Sequence, residues 1–100
     1  MKRMFIAFIV CSTTLSPAYA FSEDNHEFCA TMSKLANAAM GMRQAGVEVV
    51  DAMSAAESDI GRHMIIDAYS KPVYYTETMK ERSKSEFATE YYIYCMKNLD

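Results

Sequence analysis

Apolar residues recur at helical spacing over most of the chain beyond residue 22. In the segment 22–43, apolar residues follow one another at steps of four, three, four and three: Phe28, Met32, Leu35, Ala39 and Met42. Such steps place side chains in one stripe along a helix. The pattern predicts a first helix over residues 22–43, capped by Ser22, that turns this stripe inward. Gly46 suits a left-handed stop just after it.

The rest of the chain predicts three more helices and no strand. Residues 47–56 are predicted to form a short second helix with Val50 and Met53 facing inward, and Ser58 or Asp59 caps a third helix. The third helix stops before Pro72, because the residue before a proline is disfavoured in the helical region. Its apolar face consists of Met64, Ile65 and Ala68.

The last helix is predicted to begin at Thr76 or Thr78 and to run to about Asn98. Thr78 and Glu81 have the spacing of a capping box. Towards the end of this helix one face is apolar: Phe87, Ala88, Tyr91, Cys95 and Leu99. The predicted fold class is therefore all-α, a small bundle of about four helices.

The segment 1–20 has the composition of a secretory signal peptide. Lys2 and Arg3 precede an uncharged apolar stretch, which ends in the small-residue pattern Ala-Tyr-Ala. The stretch is shorter than the roughly 20 residues that a helix needs to cross a bilayer. We therefore expect cleavage near Ala20, no permanent membrane anchor, and one helical domain over residues 21–100.

The net charge narrows the classes of partner. Removing the leader takes two of the ten basic residues and none of the thirteen acidic ones, which leaves a net charge of −5. An acidic surface is repelled by nucleic acid and by anionic membranes. We expect neither as the natural partner, and we expect the exported chain to work in the periplasm or outside the cell.

Cys29 and Cys95 are the two cysteines beyond the leader, and the thiols of exported proteins are normally oxidised. They permit one intramolecular pairing, and no Cys-x-x-Cys motif indicates redox chemistry. A domain of this size has a narrow stability margin, so a structural disulfide is expected. Because Cys29 lies early in the first helix and Cys95 late in the last, the bond predicts that these two helices pack antiparallel.

Arg43 falls by helical angle on the side of the core rather than among the polar residues. A guanidinium near the core requires a counter-charge, and we expect Asp67 or Asp51 to supply it and to fasten the first helix to the third. In the alternative, Arg43 and Gln44 form an exposed recognition point.

The segment 90–98 is apolar nearly all round its helix, and Ile93 lies opposite the inward face by helical angle. Tyrosines before and within the last helix add large amphipathic rings, a residue type enriched at interfaces. The pattern predicts a surface that binds another protein or forms a homodimer contact. The predicted contact residues are Tyr74, Tyr75, Tyr92, Ile93 and Tyr94.

No catalytic group, cofactor or metal ion is expected. There is no Gly-x-Ser-x-Gly, no His-Glu-x-x-His and no glycine-rich phosphate loop, so we expect a protein that is not an enzyme. Methionine suits copper(I), and Met40 and Met42, with His26 and His63, provide the alternative of a copper(I) site. Most of the methionines fall on core stripes, however, where methionine is a common gap-filler.

The order of landmarks along the chain resembles that of a group of small exported proteins. The landmarks are Cys29, MRQAGV at 42–47, IIDAY at 65–69, Pro72, Phe87, Tyr91 and Cys95. The group occurs in proteobacteria and in their phages or prophages, mostly without an assigned role. The resemblance implies a periplasmic, disulfide-linked helical domain and transfers no catalytic residue. A more distant likeness is to the acid-stress chaperones of the periplasm, from which this chain differs in placing its second cysteine near the C-terminus.

Besides copper(I) binding, two functions remain open on the sequence. The first is a periplasmic interaction module that binds an envelope protein and, if derived from a phage, blocks an envelope step. The second is a chaperone-like stress protein that exposes apolar helix faces when its thirteen acidic residues are protonated. Dye binding to apolar surface across the acid range separates the two functions.

Overall fold

The structure, a computed structural model, describes residues 23–99, and these residues form four helices without a strand. The predicted leader and its cleavage point, like Ser22, lie outside the described residues. The helices are α1 (Glu23–Gln44), α2 (Val49–Ala55), α3 (Asp59–Tyr69) and α4 (Glu77–Asn98). The prediction of a small all-α bundle is confirmed.

The ends of the helices follow from local sequence. Gly46 has a φ of 83° and ends α1 in a Schellman motif, in which Val47 N–H donates to the carbonyl oxygen of Met42. The side chain of Ser58 accepts from the N–H of Gly61 and caps α3. Thr76 caps α4 in the same way, so the capping box predicted at Thr78 is wrong.

α1 lies at the centre of the bundle, and α3 and α4 both pack mainly on it. α4 runs antiparallel to α1. The Cys29–Cys95 disulfide, with a Cα–Cα distance of 5.6 Å, joins the start of α1 to the end of α4. At the opposite end, the Lys80 ammonium donates a 2.9 Å hydrogen bond to the carbonyl oxygen of Gln44. None of the helices in residues 23–99 is long and apolar enough to span a membrane.

Small residues allow the helices to approach closely. The buried core consists of Ala36, Ala39, Met40, Ala52, Met64, Ile65, Ala68 and Phe87. Four of these eight are alanines, and the long methionines fill the remaining space between the helices. The predicted face of α3 is confirmed.

The inward stripe predicted for α1 is confirmed in part: Ala39 is buried, and Met32 and Met42 pack against the core. The stripe is wrong at its two other residues. Phe28 is 54% exposed and Leu35 is also exposed, whereas Cys29, Ala36 and Met40 are buried. The helix turns its cysteine towards α4, and the larger side chains are left at the edge of the core. In α2, Val50 is 70% exposed instead of facing inward, whereas Met53 packs against the core as predicted and Ala52 is buried.

Candidate functional site

An open groove of about 720 Å³ runs between α3 and α4, and we call it the α3–α4 groove. α3 and α4 form its two walls, and α1 contributes one side chain to it. The lining residues are Met32, Ile60, His63, Asp67, Glu90, Tyr91, Tyr94, Cys95, Asn98 and Leu99. A volume of this size falls in the range of known ligand sites, about 300–1,000 Å³.

The walls of the groove are set by helical spacing. In α3, Ile60, His63 and Asp67 recur at steps of three and four, which turns them to one face. In α4, Tyr91, Cys95 and Asn98 recur in the same way on the face opposite. Because both helices rest on α1, these two faces meet above it and enclose the groove.

The phenol of Tyr91 donates a hydrogen bond of 3.1 Å to Oδ2 of Asp67 and thereby joins the two walls. Burial raises the pKa of Tyr91 well above its usual range, and the hydrogen bond to Asp67 and the negative charge of that carboxylate raise it further. The ring of Tyr91 also packs against Phe87 with a centroid distance of 5.1 Å. Tyr91 is therefore a fixed, neutral donor at one end of the groove.

Apolar side chains of the groove face solvent. Ile60 is exposed on α3, and Tyr94 on α4 is 67% exposed. Leu99 and Met32 are half-buried beside them. Exposed apolar side chains that converge on one groove are typical of a binding surface, whereas single exposed apolar residues carry no such meaning.

The charge of the groove is negative. Asp67 and Glu90 are its two carboxylates, and no lysine or arginine is among its lining residues. Arg62, the basic residue nearest in sequence on α3, turns away and contacts Asp59 at 3.4 Å and the carbonyl oxygen of Ala56 at 3.4 Å. The groove thus combines apolar walls with negative charge.

A second, smaller groove lies between α1 and the connection from α2 to α3. Its volume is about 480 Å³, and Leu35 and Met42 of α1 line it together with small residues such as Ala56 and Gly61. Glu57 is the charged residue of its lining. Leu35 of this second groove and Ile60 of the α3–α4 groove are equally exposed apolar residues, which makes them a matched pair for mutagenesis.

Within residues 23–99 no three His, Cys, Asp or Glu side chains are placed to hold a metal ion. Of the predicted copper(I) pair, Met40 is buried, and its sulfur accepts a hydrogen bond from Gln44 at 3.4 Å. Of the two histidines, His63 lines the α3–α4 groove, and His26 lies beside the disulfide.

The predicted contact residues are spread along α4 and the segment before it. Tyr75, 98% exposed, lies just before α4, whereas Tyr94 lies near its end, about 25 Å away along the helix axis. Ile93 is exposed but is not among the lining residues of the groove. Of the predicted contact residues, only Tyr94 lines the α3–α4 groove, so they do not form one surface.

Tyr74 and Tyr92 make contacts within the bundle. The backbone N–H of Tyr74 donates to Oε1 of Gln44 at 2.9 Å. The hydroxyl of Tyr92 lies 2.9 Å from Nδ1 of His26, and the two rings meet edge to face. Since Tyr92 lies three residues before Cys95 and His26 three before Cys29, this pair adds a contact one turn from the disulfide.

The expectation of a carboxylate partner for Arg43 is wrong. Its Nε donates to the carbonyl oxygen of Lys71 at 2.9 Å, and its guanidinium lies 5.3 Å from the centre of the Tyr69 ring. Asp67 is engaged by Tyr91 instead. Arg43 still fastens α1 to the end of α3, but it does so through a backbone oxygen and an aromatic face.

Gln44 is buried, at 4% exposure, and therefore is not an exposed recognition point. Its amide nitrogen donates to the carbonyl oxygen of Pro72 at 2.8 Å. Its amide oxygen accepts from Tyr74. Arg43 and Gln44 together hold the segment between α3 and α4 against the end of α1.

Sequence reasoning missed the groove as a site. The sequence pattern pairs Asp67 with Arg43, includes His63 only in the copper(I) alternative, and assigns no role to Ile60 or Glu90. The spacing within each helix identifies each wall separately. What joins the walls is the packing of both helices on α1, which spacing within one helix does not report.

No protein-family model matches this chain, and neither a curated protein nor a solved structure matches it. The resemblance based on the order of landmarks therefore stays a prediction.

Proposed function

We propose that the protein is a periplasmic interaction module without catalytic activity that binds an envelope protein through the α3–α4 groove. The observation that supports this proposal is the groove itself, where Ile60 and Tyr94 present apolar surface to solvent from two different helices. Grooves between helices commonly accept an apolar segment of a partner, which completes the packing that the bundle leaves open.

The disulfide supports the compartment in this proposal. A bond between Cys29 and Cys95 persists in the periplasm or outside the cell, whereas the reducing cytosol opens such bonds. The basic and apolar segment 1–20 gives the chain a route of export.

Photocrosslinking in the producing cell tests this function. A benzophenone side chain replaces Tyr94 in the groove, and in a separate variant it replaces Val50, which is equally exposed but lies on α2. We expect an adduct of one defined mass from position 94 and none of that mass from position 50.

A second test asks whether the adduct at position 94 depends on the side chains that line the groove. Ile60→Ala should weaken the adduct at position 94, and Leu35→Ala, in the second groove, should not. Equal adducts from both crosslinking positions, or no adduct at position 94, would contradict the proposal. An adduct of twice the mass of the chain would assign the groove to a homodimer.

A further inference from the structure

The charge of the α3–α4 groove indicates which kind of partner segment binds there. This inference rests on the proposed function. Asp67 and Glu90 line the groove without a lysine or arginine among the lining residues. Tyr91 holds Oδ2 of Asp67, so this carboxylate is fixed at the groove instead of swinging into solvent. Fixed charges recognise an opposite charge at lower entropic cost than mobile ones do.

Several cations of the bundle are engaged elsewhere and do not neutralise the groove. Lys84 pairs with Glu81 at 2.9 Å, and Arg62 pairs with Asp59. Lys80 donates to the carbonyl oxygen of Gln44, and Arg43 to that of Lys71. Lys71 lines a separate small pocket beside Glu90, but neither Asp67 nor Glu90 forms an ion pair among residues 23–99. A partner that enters the groove can therefore supply their counter-charge.

The shape of the groove suits a helix. Its lining on α4 extends from Glu90 to Asn98, which corresponds to about 12 Å or slightly more than two helical turns. α3 and α4 both pack on α1, and a further helix laid along the groove between them would contact both walls in the manner of a bundle. The side chains of Ile60 and Tyr94 would then pack against the apolar stripe of that helix.

A second copy of the chain fits this charge less well. Its expected mature form carries a net charge of −5. The groove of that second copy carries the same two carboxylates, Asp67 and Glu90. Like charges brought together at an interface repel, so a basic partner is favoured over a copy of an acidic chain.

We propose that the α3–α4 groove binds a cationic amphipathic helix of a partner protein. The apolar stripe of that helix packs against Ile60 and Tyr94, and its lysine or arginine side chains pair with Glu90 and Asp67.

Two synthetic helices of about five turns test the proposal: one of leucine and lysine, and one in which every lysine is replaced by glutamate. Binding of each to the oxidised protein is measured by titration calorimetry at low and at physiological salt. We expect the lysine helix to bind at least about tenfold more tightly than the glutamate helix. We also expect Glu90→Gln to weaken the lysine helix about threefold to tenfold.

Glu86→Gln is the matched control, because Glu86 is exposed one turn earlier on α4 and does not line the groove. It should leave the affinity within about twofold of the unaltered protein. Ile60→Ala should weaken binding of the lysine helix, whereas Leu35→Ala should not.

The outcomes separate this inference from the function it rests on. If neither helix binds, the groove function and the charge inference both fail. If both helices bind equally and Ile60→Ala weakens both, the groove function stands and the charge inference is overturned. Equal losses of affinity from Glu86→Gln and Glu90→Gln would show that binding depends only on the overall charge of the chain, and this result would overturn the inference. The inference would also be overturned if the protein formed a dimer that the lysine helix dissociates, because the groove would then be occupied by a second copy of the chain.

Discussion

The side-chain amide of Gln44 donates a hydrogen bond of 2.8 Å to the carbonyl oxygen of Pro72, across 28 residues of sequence. The same amide accepts from the backbone N–H of Tyr74 at 2.9 Å. One buried side chain at the end of α1 therefore satisfies two backbone groups in the segment that leads into α4. This contact holds the segment before α4 against the end of α1.

Gln44→Ala should lower the free energy of unfolding by about 1–3 kcal/mol, because it leaves partly buried backbone groups of Pro72 and Tyr74 without their partner. Urea denaturation followed by circular dichroism measures the loss. Lys34→Ala, an exposed change on the same helix, should cost less than about 0.5 kcal/mol. Equal losses in the two variants would remove the structural role of Gln44.

The free energy of unfolding should fall at alkaline pH because of Tyr91. Its pKa in the folded protein is raised by burial and by Asp67, whereas the unfolded chain has the ordinary value of about 10. Above about pH 10 the folded protein retains a proton that the unfolded chain releases. The contribution of Tyr91 to stability is thus complete below about pH 10 and is lost as pH rises above that value.

Tyr91→Phe should make this alkaline loss less steep, as measured by urea denaturation at several pH values. Burial also raises the pKa of Tyr69, so part of the slope should remain in that variant. Tyr75→Phe is the control, since its ring is almost fully exposed and folding leaves it in water. An identical slope for the unaltered protein and Tyr91→Phe would show that the phenol is not held as described.

Alanine at position 36 should be required by the close packing of α1. Ala36 is fully buried, and a larger side chain there forces the helices apart, so Ala36→Leu should cost about 1–3 kcal/mol. Ala38→Leu is the matched control, since Ala38 is exposed at the second groove, where added apolar volume has room. Thermal unfolding of the two variants compares them directly, and a lower melting temperature for Ala38→Leu than for Ala36→Leu would contradict the observed rotation of α1.

Loss of the disulfide should destabilise the whole chain and loosen one end of it most. The bond closes a loop with a sequence separation of 66, which corresponds to about 4 kcal/mol on chain-entropy grounds. Cys29 is the one buried side chain among residues 23–31, so little else holds the start of α1 in place. In a variant with both cysteines replaced by alanine, hydrogen exchange should accelerate first in residues 23–31 and 92–98. Uniform acceleration across all four helices would contradict this local role.

The sequence predicted the number of helices and most of their ends because these depend on local chemistry. Gly46, Ser58 and Thr76 end or cap helices through contacts with residues nearby in the chain, so the local sequence alone indicates their roles. The largest apolar side chains of α1, such as Phe28 and Leu35, do not mark its inward face. Cys29 marks that face more accurately, because Ala36 and Met40 follow it at steps of seven and four and all three are buried.

The contacts that the sequence did not predict join residues far apart in the chain. Arg43 contacts Lys71 and Gln44 contacts Pro72, each across 28 residues, and Asp67 meets Tyr91 across 24. Helical periodicity orients side chains within one helix but does not say which helix they meet. The α3–α4 groove is formed by contacts between different helices, so it could not be predicted from the spacing of residues within each helix.

Nuclear magnetic resonance of the isotope-labelled, oxidised protein with the leucine–lysine helix tests most directly whether the α3–α4 groove is the binding surface. We predict that backbone amide signals shift on both walls, in residues 60–67 of α3 and 90–98 of α4, and that the signals of Val50 and Ile66, which are exposed outside the groove, do not. Shifts centred on Val50 and Ile66, or shifts confined to one wall, would contradict a binding surface between these two helices.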